Sequence, residues 1–249
     1  MRAPVITIFQ SAPAQQPRWQ SRCLSSVREW CAQQGYRYHF FGDELFDRVP
    51  SALRNKLAGR TPIIADLARL SLLKDHLESE GGTAVWLDAD TLVVDASWAP
   101  NTEASVCFGE EYWLDTDSRG RLKIFKQPHN AFMLFSADNT VLPFLHQVAH
   151  SIIERADSAA ISPQMIGPKL LKALHSLADF PLCPEAGALS PMLASELVHG
   201  GGPAIDAVRE SRRPKTCLWN LCGSLAGEES HESNLLALTH EPSLFEALS

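Results

Sequence analysis

Two aspartates, Asp88 and Asp90, stand one residue apart inside the stretch Ala84-Val85-Trp86-Leu87-Asp88-Ala89-Asp90-Thr91-Leu92-Val93-Val94. Paired carboxylates at that spacing can present oxygens to one hard cation, and Mg²⁺ and Mn²⁺ favour carboxylate and phosphate oxygens while keeping some waters. A cation held there clamps a diphosphate and offsets its charge as a leaving group. A second reading is open at this point: Asp88 caps a turn and Asp90 is simply solvated. Short motifs recur by chance, so the surroundings decide.

The segment upstream supplies two more chemical groups. At about 100° per residue, Ile63, Ile64, Leu67, Leu70, Leu73 and Leu77 fall on one broad stripe. Asp66 falls inside that stripe and Arg69 lies at its edge, three residues on, where the two are neighbours. A carboxylate on a core-facing stripe is costly unless it is paired or hydrogen-bonded. Either the two form a buried ion pair, or the stripe faces a polar cleft where Asp66 accepts from ligand hydroxyls and Arg69 donates to sugar or phosphate oxygens.

These groups need elements to place them. Residues 5–9 read as a first strand, 19–33 as a helix stopped near Gly35, and 36–41 as a second strand. Residues 43–59 read as helical with a break at Pro50. The clearest helix is 61–80, with Thr61 as cap, Pro62 in the first turn and Gly81-Gly82 as the stop. Residues 84–87, 105–108 and 129–136 read as strands, and 141–156 and 163–178 as helices. The last seventy residues carry only short apolar pieces between Gly, Pro and Ser. Alternating strand and helix argues an α/β fold with a mainly parallel sheet flanked by helices. Ligands then bind beyond the carboxyl ends of the strands, where Asp88 and Asp90 would stand.

Composition narrows the function. A chain of 249 residues with 45% hydrophobic content has room for a large core. A net charge of −7 argues against a nucleic-acid partner. No apolar run reaches the roughly 18–20 residues of a membrane span, so any membrane contact is expected to be peripheral. Six cysteines are scattered without a CxxC pair, which argues against a zinc cluster. The N-terminal apolar run is too short for a secretory segment, and reduced thiols in a cytoplasm are expected.

Ala65-Asp66, Ala68-Arg69, Gly81-Gly82 and Trp86-Leu87-Asp88-Ala89-Asp90, in that order, resemble the sugar-binding region of DXD glycosyltransferases. That group includes the yeast outer-chain initiating mannosyltransferase, the α1,4-galactosyl- and α1,4-N-acetylglucosaminyltransferases and the large clostridial glucosylating toxins. The strong match spans residues 61–95. Weaker echoes are Ile6-Thr7-Ile8-Phe9-Gln10, His129-Asn130-Ala131-Phe132, Ile166-Gly167-Pro168 and Cys217-Leu218-Trp219-Asn220.

The resemblance implies one GT-A-like domain over 1–249, with a nucleotide-sugar-binding part at 1–100 and an acceptor-side and closing part at 101–249. It implies a UDP- or GDP-sugar donor, Mn²⁺ or Mg²⁺, and transfer with retention to a saccharide, lipid-linked or protein acceptor. By the same resemblance Asp90 is the direct metal ligand and Asp88 contacts ribose or donor sugar. Asp66 and Arg69 hold the sugar, Phe9 and Gln10 lie by the base, and Asn130 and Trp219 contact the donor. The chain departs from the pattern where Cys217 replaces a histidine before Leu-Trp-Asn. His199 and His240 are candidates for the ligand position left open. The rivals are a haloacid-dehalogenase-like phosphatase, which also carries Asp-x-Asp after a strand, and a sugar-nucleotide-binding protein without turnover.

Overall fold

The computed structural model describes residues 5–157, 161–225 and 229–249. Strand β1 (Ile6–Ser11) is followed by helix α1 (Arg18–Gln34), strand β2 (Arg37–Phe41), a 3₁₀ turn (Asp43–Arg48) and the short α2 (Ser51–Lys56). Helix α1 ends where its sequence says it must: Gly35 adopts a left-handed φ of 73°, a conformation that costs glycine little. The long helix α3 (Thr61–Glu80) leads into β3 (Thr83–Leu87), whose five residues are all buried. Thr61 does not cap α3. The amides of Ile63 and Ile64 both reach the carbonyl of Arg60, so Arg60 holds the cap position and Thr61 is already helical.

Strand β4 (Thr91–Val93) follows directly, then β5 (Val106–Thr116) and β6 (Leu122–Ser136) form a long hairpin. Helices α4 (Val141–Arg155) and α5 (Pro168–Ala178) come next. Helix α5 starts five residues later than expected. Gly167 precedes it in a non-helical conformation, and Pro168, lacking an N–H, suits its first turn. Two short strands, β7 (Leu182–Cys183) and β8 (Ala186–Ala188), precede α6 (Pro191–His199), α7 (Pro203–Glu210), β9 (Leu218–Asn220) and α8 (Glu229–His240).

The main sheet has six strands in the order β2-β1-β3-β6-β5-β7. Pairings β1–β2, β1–β3 and β5–β7 are parallel, and β6 runs against both β3 and β5. The sheet is therefore mixed. The hairpin returns β6 into the middle of a sheet whose first three strands are joined by parallel crossovers. One face of the sheet packs on α3, α4 and α5 through Leu67, Leu73, Phe108, Phe135 and Leu145. The other face packs on α1 through Val27, Trp30, Val85 and Leu134.

A second sheet, ordered β4-β9-β8, sits with a separate cluster containing Trp19, Leu92, Leu114, Leu193 and Leu235. Asp88-Ala89-Asp90 is thus the link by which the chain leaves one sheet for the other. No helix among the described residues is long and apolar enough to cross a membrane. All six cysteines are unpaired.

Candidate active site beyond strand β3

The main sheet fixes Asp88 at both backbone and side chain. Its amide donates to the carbonyl of Ala131 at 2.9 Å, continuing the β3–β6 ladder. Its carbonyl accepts from Gln10 Nε2 at 3.1 Å, and Tyr38 donates to the Gln10 amide oxygen at 3.1 Å. Gln10 is fully buried, so its amide is spent holding Asp88. The Asp88 oxygen Oδ1 accepts from Trp86 Nε1 at 2.6 Å and from Arg69 Nη1 at 2.8 Å.

Arg69 ties the cluster together. It forms an ion pair with Asp66 one helical turn earlier, donates to the Asn130 carbonyl at 3.1 Å, and lies over the Trp86 ring at 5.7 Å. Asn130 Nδ2 donates in turn to Asp66 at 3.1 Å. Asp66 and Arg69 are 5% and 7% exposed, so the polar pair on the apolar stripe of α3 is buried. Burial lowers the Arg69 pKa, while Asp88 and Asp90 hold it up. A guanidinium remains charged through such shifts. The two sequence readings of Asp66 and Arg69 therefore meet: the buried ion pair exists, and it reaches on to the cleft through Asp88 and Asn130.

Asp90 is held from the second sheet. Asn220 Nδ2 donates to one oxygen at 2.6 Å and the Gly223 amide to the other at 2.7 Å. The Asn220 amide oxygen accepts from the backbone N–H of Cys222 at 3.1 Å, which fixes its orientation. Among the described residues no lysine, arginine or histidine forms a salt bridge with Asp90. Desolvation, and then the charge on Asp88, push its carboxyl from 3.8 up to about 6. Arg69 thus pairs with two of the three carboxylates, and the negative charge left over at Asp90 is of the kind a divalent cation could offset.

Asp88 and Asp90 are the residues that could hold such an ion. Among the described residues no group of three or more His, Cys, Asp and Glu could hold a metal. Two carboxylates suffice for a hard ion that fills its other positions with water and phosphate oxygens. Cys217 is buried, its thiol donates to the Lys215 carbonyl at 3.4 Å, and burial pushes its pKa up to about 11. It stays a thiol at neutral pH, and the residue that reaches Asp90 from the following strand β9 is Asn220.

A cleft of about 600 Å³ opens over Asp88 and Asn130. One wall is α5, with Lys169 and Lys172; the other is the hairpin, with Glu111, Trp113, Phe125 and Gln127. Gly167 lets α5 come close: a Cβ there would lie 2.7 Å from Asn130 Nδ2 and 2.8 Å from Asp66 Oδ2. His129 lies at the cleft but is buried and satisfied, with Nε2 on the Ala186 carbonyl and Nδ1 accepting from the Ala131 amide. Burial lowers its pKa, so the ring is neutral.

The remaining sequence candidates lie elsewhere. Phe9 stacks on His39 with ring centres 5.5 Å apart and lines a separate hollow. Trp219 points away from Asn220, as alternation along a strand requires, and stacks on Phe245 at 5.6 Å. His199 bonds the Ser195 carbonyl at 2.7 Å in another hollow, and His240 is exposed at the end of α8. The basic residues Arg213 and Lys215 are engaged apart from the cleft, Arg213 with Glu110 and Lys215 with Asp95.

Sequence reasoning did not assign roles to Asn220, Glu111, Gln127, Lys169 and Lys172. The lysines carried a local signal, being three apart on one helix. Asn220 stood in the Leu-Trp-Asn echo, but at 130 positions from Asp90 nothing in sequence signalled their contact.

No protein-family model matches the chain, and no curated protein matches it in sequence. Solved structures do. A glycosyltransferase involved in glycosylation of the major capsid of PBCV-1 aligns at TM-score 0.51 and 13% identity, over 94% of this chain and 100% of that one. The glycosyltransferase GlyE of Streptococcus pneumoniae TIGR4 aligns at TM-score 0.45 and 9% identity, over 99% of this chain and 64% of that one. Mouse xyloside xylosyltransferase 1 aligns at TM-score 0.42 and 9% identity, over 89% and 98%. At such identities the likeness concerns the fold. The fold is an α/β fold with a mixed central sheet flanked by helices, matching the GT-A architecture of glycosyltransferases.

Proposed function

We propose that the chain is a metal-dependent glycosyltransferase that moves a sugar from a UDP- or GDP-sugar to a hydroxyl of a saccharide, lipid-linked or protein acceptor, with retention. The observation that carries this reading is the Asp66–Arg69–Asp88–Asn130 network, which meets a cleft through Asp88 and Asn130, next to an Asp90 that forms no salt bridge among the described residues. The GT-A architecture agrees with it at the level of fold.

Asp88 and Asp90 would hold Mn²⁺ or Mg²⁺. When bound, the ion offsets the charge that develops on the departing diphosphate. Arg69 acts through Asp88: it takes one carboxylate oxygen and fixes the side chain, so that the other oxygen is free for ion or sugar. Asn130, held from behind by Asp66, would offer the cleft a polar floor for sugar hydroxyls. Lys169 and Lys172, which line the facing wall of the cleft, would meet the negative diphosphate. Retention follows if the acceptor hydroxyl enters on the leaving-group face and the diphosphate takes its proton.

The test is nucleoside diphosphate release from a panel of nucleotide sugars with Mn²⁺. We expect release from at least one donor and its loss in Asp90→Asn. Full activity in that variant removes Asp90 as a ligand. Phosphate release from a generic phosphomonoester, with no response to any nucleotide sugar, replaces this reading with the phosphatase.

A further inference from the structure

The β5–β6 hairpin carries polar and aromatic groups that the donor chemistry does not use. Its register pairs Glu111 with Gln127 and Trp113 with Phe125. Side chains two apart on a strand share a face, so these two pairs lie side by side. The alternate pairs, Tyr112 with Lys126 and Leu114 with Ile124, belong to the other face. Leu114 is buried in the C-terminal cluster with Tyr112 packed against it, so that face anchors the hairpin. The first face is thereby held toward the cleft that contains Asp88.

What that face presents is specific. Phe125 is 37% exposed, a large apolar ring left on the surface, with Lys123 over it at 4.5 Å. Trp113 stands beside it. One step closer to Asp88, Gln127 donates to Glu111 at 2.6 Å, leaving one carboxylate oxygen and the amide oxygen without a donor among the described residues. Aromatic faces suit the C–H side of a pyranose, and a carboxylate–amide pair suits vicinal hydroxyls. A lipid tail would leave the Glu111–Gln127 pair desolvated and unmatched. Glu111 also disfavours an anionic ligand on this wall.

We infer that the cleft-facing side of the hairpin is the acceptor subsite and takes a neutral saccharide, stacked on Trp113 and Phe125 and hydrogen-bonded by Glu111 and Gln127. The assignment of this saccharide as acceptor rests on the transferase reading above; the binding itself does not.

The test is saturation-transfer NMR on the full chain with lactose, maltose, cellobiose and methyl α-mannoside. We expect transfer to ring protons of at least one sugar. The signal should fall at least fivefold in Phe125→Ser and in Glu111→Gln, and persist in Ile124→Ser on the other face. No transfer to any sugar, or equal transfer in Phe125→Ser and the wild type, overturns the subsite. Phe125 and Ile124 are both exposed, so neither change threatens folding. Nucleotide release by the wild-type protein is scored separately: its absence with every donor, alongside a retained NMR signal, would fail the transferase reading and not the saccharide site.

Discussion

Asp90 and Arg69 show how the site distributes its charge. Arg69 is shared between Asp66 and Asp88, and Asp90 receives only neutral donors from Asn220 and Gly223. Its folded pKa of about 6 lies above the ordinary 3.8, so the folded state holds this proton more tightly than the unfolded chain. The stability that proton contributes is full below the ordinary value and is lost as pH rises through 6. Asp90→Asn lacks this titration. Between pH 5 and pH 7.5 the wild type should therefore lose about 1 kcal/mol of stability relative to the variant. Urea unfolding of both proteins at the two pH values measures it, and parallel profiles would contradict the assigned environment. Asp66, Arg69, Asp88 and Asp90 were legible in sequence because their types and spacings are local. Asn220 and Glu111 were not, since each gains its role from a chain segment that only the fold brings near.

At the scale of elements, local punctuation was readable and strand pairing was not. The ends of α1 and α3 followed from Gly35 and Gly81, whose positive φ closes each helix. The outer hairpin was missed because Glu110-Glu111 and Lys123 through Gln127 break the apolar pattern of a core strand; there the strands pair with each other and face a cleft. Strands β4, β7, β8 and β9 have two or three residues each, too few to carry a period. Helix α5 illustrates how an element serves the site. At Gly167 the missing Cβ is what allows the close approach. Gly167→Ala should push α5 off Asn130 and Asp66, costing about 1–3 kcal/mol of stability. It should also lower kcat/KM for the donor by at least tenfold, because the lysine wall moves with the helix. Thermal unfolding and donor kinetics together check this; a variant with unchanged kinetics would mean that the wall tolerates the shift.

For the whole molecule, the decisive feature is that the site lies between two sheets. Asp88 closes β3 of the main sheet, and Asp90 precedes β4 of the small one, where β9 supplies Asn220. The carboxylate pair is assembled only when both sheets are in place, so ligands that bridge the pair should stabilise the whole fold. Within a chain of net charge −7, the site concentrates Asp66, Asp88 and Asp90 around the single guanidinium of Arg69. An anionic nucleotide alone meets repulsion on that side of the cleft, and the cation alone lacks its phosphate oxygens. Mn²⁺ and a nucleoside diphosphate together should therefore raise the melting temperature by more than the two separate shifts combined. At a hundredfold excess over Kd the linkage is about 2.7 kcal/mol, or roughly 5–11 °C for a chain of this size. Asn220→Ala, which frees Asp90 from its partner on β9, should cut the shift by weakening the cation site about 10–100-fold. Differential scanning fluorimetry with UDP and GDP, with and without EDTA, reads both effects. Equal shifts with and without EDTA would show that the nucleotide binds without the carboxylate pair, and the role given to Asp88 and Asp90 would then be lost.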